Sequence, residues 1–433
     1  MTAIARTVSQ RRGACPGVSA PMLTGDGLLV RLLPTGTIPL AAFAALCKAA
    51  RTHGNGVIEV TSRGNIQVRG LSEPSAAEFA DTVAALDIAA DDGVPVLCDP
   101  LAGLDAGETF DSASLAAELR GAIAQSALAT KLSPKVSVVI DGGGAIGLGA
   151  VTADIRLRAQ AALGEVALHV SVGGDEARAA GLGDVRPMHG VETVLRLLDV
   201  IAQRGARARD IVTAEGARAF RSAISDFLLS AEPVRDSRLR GNEQNGAAGA
   251  AIAKFSLGNG ECAIGIGLAF GHAEAGSLER LIEAARAAGA TGLRTAPGRA
   301  LLAIGLSQKT APTFAEATER LGFVTRADDP RRKVIACAGA PICASAHIAS
   351  RALAPAVASS AAPQLGTIHI SGCAKGCAHA GAAALTVVGM PEGCALIANG
   401  TVRDTPFAVV AKNELSAAIA NHARERTEEA AHV

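Results

Sequence analysis

Two distant stretches decide the fold. The first is "GDGLLVRLLPTGTIPLAAFAALCKAARTHGNGVIEVTSRGNIQVRGL", Gly25 to Leu71, and the second is "GECAIGIGLAFGHAEAGSLERLIEAARAAGATGLRTAPGRALLAIGL", Gly260 to Leu306. Each opens on an apolar strand, Leu28–Leu33 in one and Cys262–Phe270 in the other. A helix follows, with apolar residues three and four apart: Leu40, Phe43, Leu46 and Ala50 against Leu278, Leu281, Ile282 and Ala285. Each helix is expected to stop at a left-handed glycine, Gly54 or Gly289. A second strand then carries Thr-x-x-Gly, Thr61–Gly64 or Thr295–Gly298, and closes on Gly-Leu. Four ordered features shared over roughly 230 residues of separation mark an internal duplication, too long in period for a solenoid.

Outward from the repeats, the chain alternates strands and helices. The first half continues with strands at Lys135–Ile140, Ala153–Ala159 and Val166–Gly174 and helices at Ser112–Ala129 and Val191–Gln203. The second continues with "GTIHI", "ALTVVGM" and "CALIANG" and a last helix near Asn413–Ala423, followed by a tail expected to fray. The polar, glycine-rich segment 232–251 reads as a connector. The expected units are 14–80 and 252–312 for the repeats, with α/β segments at 90–231 and 320–423.

Bulk properties narrow the function. A chain of 433 residues with 49% hydrophobic and 19% charged residues is globular and holds several domains. Lysine plus arginine and aspartate plus glutamate number 41 each, so no global field draws the chain to nucleic acid or to a membrane surface. No run approaches the length of a membrane span, and no apolar segment follows the N-terminal basic residues as in a signal peptide. Nine cysteines without an export signal argue for metal binding or free thiols in a reducing cytoplasm, not for a disulfide framework.

Four of those cysteines cluster. "ACAGAPICAS" places Cys337 and Cys343 five residues apart, and "IHISGCAKGCAH" places Cys373 and Cys377 three apart, among glycine and alanine. An iron–sulfur cubane asks for such a set: thiolates from short loops, with small residues that let the backbone approach the sulfides. Zinc is the rival, although its paired ligands usually stand two to four residues apart. Unconnected buried thiols are the bland alternative. Cys15, Cys47, Cys98, Cys262 and Cys394 lack metal-type spacing and are expected to be small buried apolar residues. "DGGG" at Asp141–Gly144 lacks the spacing of a dinucleotide loop.

The paired Cys motifs, the second inside "SGC-x-x-x-C", together with "VTSRGNIQVRG" (Val60–Gly70), resemble the sirohaem-dependent nitrite and sulfite reductases. That resemblance implies an α+β fold of two ferredoxin-like half domains and two α/β domains about a pseudo-twofold axis. "CPGVSAPMLTGDGLLVRL" (Cys15–Leu32), "ACAGAPICASA" and "HISGCAKGCAH" resemble the precorrin-3B synthase branch in particular. The reductases use two lysines one residue apart to grip a small anion; here Lys135 matches the first and Ser137 stands at the second.

The resemblance implies a 4Fe–4S cluster on Cys337, Cys343, Cys373 and Cys377, with Cys377 in the position that bridges to sirohaem in the reductases. It further implies a mononuclear non-haem iron, for which His347, His369 and His379 are candidate ligands, and leaves room for a haem-type cofactor. The implied substrate is precorrin-3A, oxidised with O2, with NADH as the ultimate reductant through an electron-transfer partner. Arg63, Gln67 and Lys135 are the candidate anchors for its carboxylates. Gln67 is expected on one strand face with Arg63, and Arg69 extends that face or lies at the surface. The alternative is a sirohaem nitrite or sulfite reductase.

Overall fold

The computed structural model describes residues 16–229 and 251–431, apart from 87, 92, 129, 163–164 and 362–364. Cys15 and almost all of the expected connector lie outside the described residues.

The first repeat forms β1 (Met22–Thr24), β2 (Gly27–Leu32), β3 (Ile38–Pro39), α1 (Leu40–His53), β4 (Val57–Val60), β5 (Ile66–Leu71) and α2 (Glu73–Ala84). After it come β6 (Val96–Cys98), α3 (Ser112–Gln125), β7 (Val138–Asp141), β8 (Ala153–Ala162), β9 (Glu165–Gly174), β10 (Ala180–Val185), α4 (Gly190–Arg204), α5 (Ala208–Glu215) and α6 (Arg218–Ala223). The second repeat forms β11 (Lys254–Ser256), β12 (Cys262–Gly267), β13 (His272–Glu274), α7 (Ala275–Ala287), β14 (Gly292–Ala296), β15 (Ala300–Leu306) and α8 (Ala311–Arg320). The chain ends with β16 (Val334–Ala336), α9 (Ser350–Ser360), β17 (Ile368–Ser371), β18 (Ala383–Gly389), β19 (Cys394–Gly400), β20 (Ala408–Val410) and α10 (Leu415–Ala431).

These strands build four five-stranded sheets in two matching pairs. The α/β sheets run β6-β7-β8-β9-β10 and β16-β17-β18-β19-β20, each with three parallel strands followed by antiparallel ones. The repeat sheets run β1-β2-β5-β4-β13 and β11-β12-β15-β14-β3, so each takes its last strand from the other half. His272 pairs with Glu59 across β13 and β4, while Ile38 and Pro39 pair with Leu293 and Gly292. Proline has no N–H for a ladder, and its edge position suits it. Behind both sheets α1 and α7 share one core, in which Phe43, Leu46, Leu278, Leu281, Ile282 and Phe314 are buried.

Three local expectations are corrected. Gly289 is left-handed (φ 87°), but Gly54 is extended (φ −117°). A Cβ at Gly54 would lie 2.6 Å from the Arg69 carbonyl oxygen, so close approach, not handedness, selects glycine there. The two Thr-x-x-Gly motifs are not equivalent. Val60 pairs with Ile66 and leaves Thr61 in the turn, whereas Thr295 lies inside β14 opposite Leu301. The tail continues as helix α10 to Ala431 instead of fraying.

Candidate metal centre and the polar sheet face beside it

β16 and β17 are parallel neighbours, so the loops leaving them emerge at one end of the sheet. Cys337 is the first residue past β16, and Cys373 and Cys377 follow β17. Between Cys337 and Cys343 the chain turns at left-handed Gly339 (φ 69°), where the Cys343 N–H donates to the Gly339 carbonyl at 2.8 Å. The Gly372 N–H donates to Cys337 Sγ at 3.1 Å, and Ser350 Oγ, at the start of α9, lies 3.5 Å from the same sulfur. The first repeat closes over this loop: Ala344 N–H donates to Gly25 O at 2.9 Å. A Cβ on Gly25 would stand 2.4 Å from Cys343 Sγ, so any larger residue there would displace that thiol. Burial pushes the Cys377 thiol up, the charges of Cys337, Cys373 and Cys343 push the same way, and the Arg69 guanidinium opposes them. The four candidate thiols are thus near enough for Cys337, Cys343 and Cys373 to act on the charge of Cys377.

A cubane and a single ion ask different things of such thiols. In a cubane each thiolate binds its own iron and the sulfurs stay apart, whereas zinc draws four sulfurs to about 2.3 Å from one centre. Among the described residues no three His, Cys, Asp or Glu side chains are grouped to hold a single metal ion. Small residues, an N–H aimed at Cys337 Sγ and the start of α9 are what an anionic cluster requires around it.

The candidate ligands of a mononuclear iron lie in different surroundings. His347 is exposed. His369 is fully buried on β17, and neither ring nitrogen has a hydrogen-bond partner. His379 meets it edge-on, with centroids 5.6 Å apart. Burial, helped by the charges of His379 and Arg299, pushes the His369 pKa down to about 4, so the ring is neutral at physiological pH.

Facing the thiols is the outer side of the first repeat sheet. Arg31, Gln67, Glu59 and His272 stand opposite one another on four adjacent strands. With its amide oriented to satisfy both neighbours, Gln67 donates to Glu59 Oε2 (3.1 Å) and accepts from Arg31 Nε and Nη2 (2.9 and 2.6 Å). Arg351, from α9, donates to Glu59 Oε1 at 2.6 Å. Two residues past Gln67, Arg69 is buried and gives Asp26 two parallel hydrogen bonds of 2.8 Å. Burial disfavours both charges, yet the pairing wins: Asp26 is held below the usual carboxylate range and Arg69 above its usual value. Arg69 is therefore not a surface residue.

Arg63 does not share the Gln67 face. It sits in the turn between β4 and β5 and reaches the first α/β segment, donating to Ser137 Oγ (3.2 Å) and Thr152 O (2.7 Å). Lys135, two residues before Ser137, is exposed. The structure thus brings Arg63 to the Lys135–Ser137 strand entrance and Gln67 to the thiol side. Sequence reasoning missed Asp26, Arg31, Glu59, His272 and Arg351. A signal existed: strand register matches Arg31, Gln67 and Arg69 with Gly265, Leu302 and Ile304 in the second repeat, so polar groups in one copy replace glycine and apolar residues in the other. Of the remaining cysteines, Cys47, Cys262 and Cys394 are buried, while Cys98 is half-buried.

Among the described residues no helix is long and apolar enough to cross a membrane. Residues 20–86 match the family described as nitrite/sulfite reductase ferredoxin-like half domain. A precorrin-3B synthase from Sinorhizobium sp is 38% identical over 431 residues, covering 98% of this chain and 91% of the relative. A ferredoxin–nitrite reductase from Synechococcus elongatus is 23% identical over 398 residues, covering 85% and 77%. Among solved structures, that of Mycobacterium tuberculosis NirA protein superposes with a TM-score of 0.72 at 18% identity, over 92% of this chain and 80% of that one. Full-length likeness at that level, on a nitrite/sulfite reductase fold, means that the chain belongs to the precorrin-3B synthase family of the nitrite and sulfite reductase superfamily.

Proposed function

We propose that the chain converts precorrin-3A to precorrin-3B in aerobic cobalamin biosynthesis, hydroxylating C20 and closing a γ-lactone with the ring A acetate. One oxygen atom of O2 enters the product and the other leaves as water, with two electrons drawn ultimately from NADH. The observation that carries this reading is the thiol set at the ends of β16 and β17, packed against a basic sheet face in a chain of this family. Cys337, Cys343, Cys373 and Cys377 would hold a 4Fe–4S cluster, which when bound would supply electrons singly, as triplet oxygen requires. The chain's own groups do the rest. Arg63 and Lys135 anchor rim carboxylates, and Gln67, fixed between Arg31 and Glu59, offers polar contact on the thiol side. Arg69 holds a positive charge beside Cys377.

A macrocyclic polyacid suits this site better than a small anion. The second lysine of the reductase pair is Ser137, and that serine accepts a hydrogen bond from Arg63 instead of contributing a charge. A compact anion depends on converging charge-assisted bonds, whereas a ring with many peripheral acids loses less when one is gone. Sirohaem nitrite or sulfite reduction is the alternative, and it rests on the weaker likeness. Electrons from NADH arrive through a separate partner in a reducing cytoplasm. Incubating anaerobically loaded protein with precorrin-3A, reductant and isotopically labelled O2 tests the reading by product mass. The expected product carries one labelled oxygen atom; unconverted precorrin-3A, or a product without label, overturns it.

A further inference from the structure

The duplication places loops of the first α/β segment where the thiol loops stand in the second. Asp99 is the first residue past β6, as Cys337 is past β16. The Gly142 N–H donates to Asp99 Oδ2 at 2.5 Å, as the Gly372 N–H does to Cys337 Sγ. Ser112, which opens α3, donates to the same Asp99 oxygen at 2.9 Å, and Ser350, which opens α9, stands beside Cys337. One three-part cradle therefore holds a carboxyl in the first half and a thiol in the second.

Beside Asp99 lies a partly open cavity of about 90 Å³. Its walls include Leu33, Leu97, Pro100 and Pro297, and three guanidinium groups line it: Arg63, Arg120 and Arg294. Arg294 donates to Thr37 Oγ1 and to the carbonyls of Pro100 and Ala102, which fix the group without neutralising it. Arg120 is held by the Val96 carbonyl and by Asp91 at 3.5 Å. Asp99 is 4% exposed, and its Oδ1 has no hydrogen-bond partner. Burial and the neighbouring Asp141 raise its pKa to about 7, so near neutrality it has a proton to share. A buried carboxyl oxygen left unpaired is costly, and a bound group that pairs with it removes that cost.

We propose that this cavity is a second ligand site, which binds a small organic carboxylate between Arg294 and Arg120 with Asp99 completing its hydrogen bonds. Guanidinium forks match a planar two-oxygen anion. A protonated Asp99 donates to a monoanion, while a dianion such as phosphate competes against the charge of Asp91 and Asp141 nearby. The apolar walls suit a hydrocarbon body. Arg63 lines this cavity too, so the site borders the carboxylate anchors of the proposed substrate site, while Arg294, Arg120 and Asp99 belong to it alone.

Calorimetric titration of the full-length holoprotein with benzoate and with valerate tests this, with benzamide and inorganic phosphate alongside. The expected result is saturable binding of at least one carboxylate, with benzamide and phosphate weaker by about tenfold or more. Arg294→Gln weakens carboxylate binding by a similar factor. So does Ala113→Leu, which fills the cavity without touching a charge and keeps the test decisive if Arg294→Gln does not fold. Absence of saturable binding, phosphate binding as tight as carboxylate, or carboxylate binding unchanged in the variant that folds overturns the proposal.

Discussion

Asp26 shows how much of this site rests on single residues. Its side chain is 1% exposed, and its two parallel bonds to Arg69 keep a buried guanidinium beside Cys377. Asp26→Asn leaves that cation without its carboxylate, and breaking a buried pair costs about 3 kcal/mol. Denaturant melts are expected to show a loss of that size; a loss below about 1 kcal/mol would mean that the pair is not buried as described. Arg63 is half-buried, and its hydrogen bonds to Ser137 Oγ and Thr152 O involve no carboxylate that its removal would leave buried and unpaired, so it can be changed with less damage. Arg63→Ala is expected to raise KM for precorrin-3A about tenfold, the value of one lost charge-assisted bond, with iron content unchanged. An unaltered KM removes Arg63 from the site. At this scale spacing and composition alone singled out the four cysteines proposed as cluster ligands. The ladder Arg31–Gln67–Glu59–His272 was not, because three of its members lie on strands whose register only the fold reveals and the fourth comes from the other half.

The elements carry the duplication, and the sequence showed it through periodicity and turn residues. Strands and helices of both halves fall near their expected positions because long apolar patterns specify them. The exchange of β3 and β13 was invisible, since two- and three-residue strands have no periodic signature. It has a physical consequence. Each repeat sheet finishes on a strand from the other half, and α1 and α7 bury one shared core. Residues 1–231 and 252–433 produced separately are therefore expected to be insoluble or molten, and to regain cooperative unfolding when co-expressed. Either half folding alone with sharp thermal unfolding would contradict the shared core. The Thr-x-x-Gly motif is a caution at the same scale. Matching letters in the two copies sit in different places because one hairpin loop is longer than the other.

Across the whole molecule, function follows from how two copies of one plan diverged. The first repeat sheet presents arginine, glutamine and glutamate to the thiol loops. The second presents Leu302 and Ile304 to Leu101 and Ile146 of the first α/β segment, with Arg294 beside them on the same face. In the α/β segments the divergence runs the other way: Cys337 holds the place in the second that Asp99 holds in the first. In the proposed site one half thus supplies the charged wall and the other the sulfurs. The direct measurement is iron and acid-labile sulfide per chain in anaerobically purified protein, wild type beside Cys377→Ala. About four of each are predicted for the wild type, with both largely lost in the variant. Stoichiometric zinc in the wild type, or iron and sulfide undiminished in Cys377→Ala, would contradict the assignment.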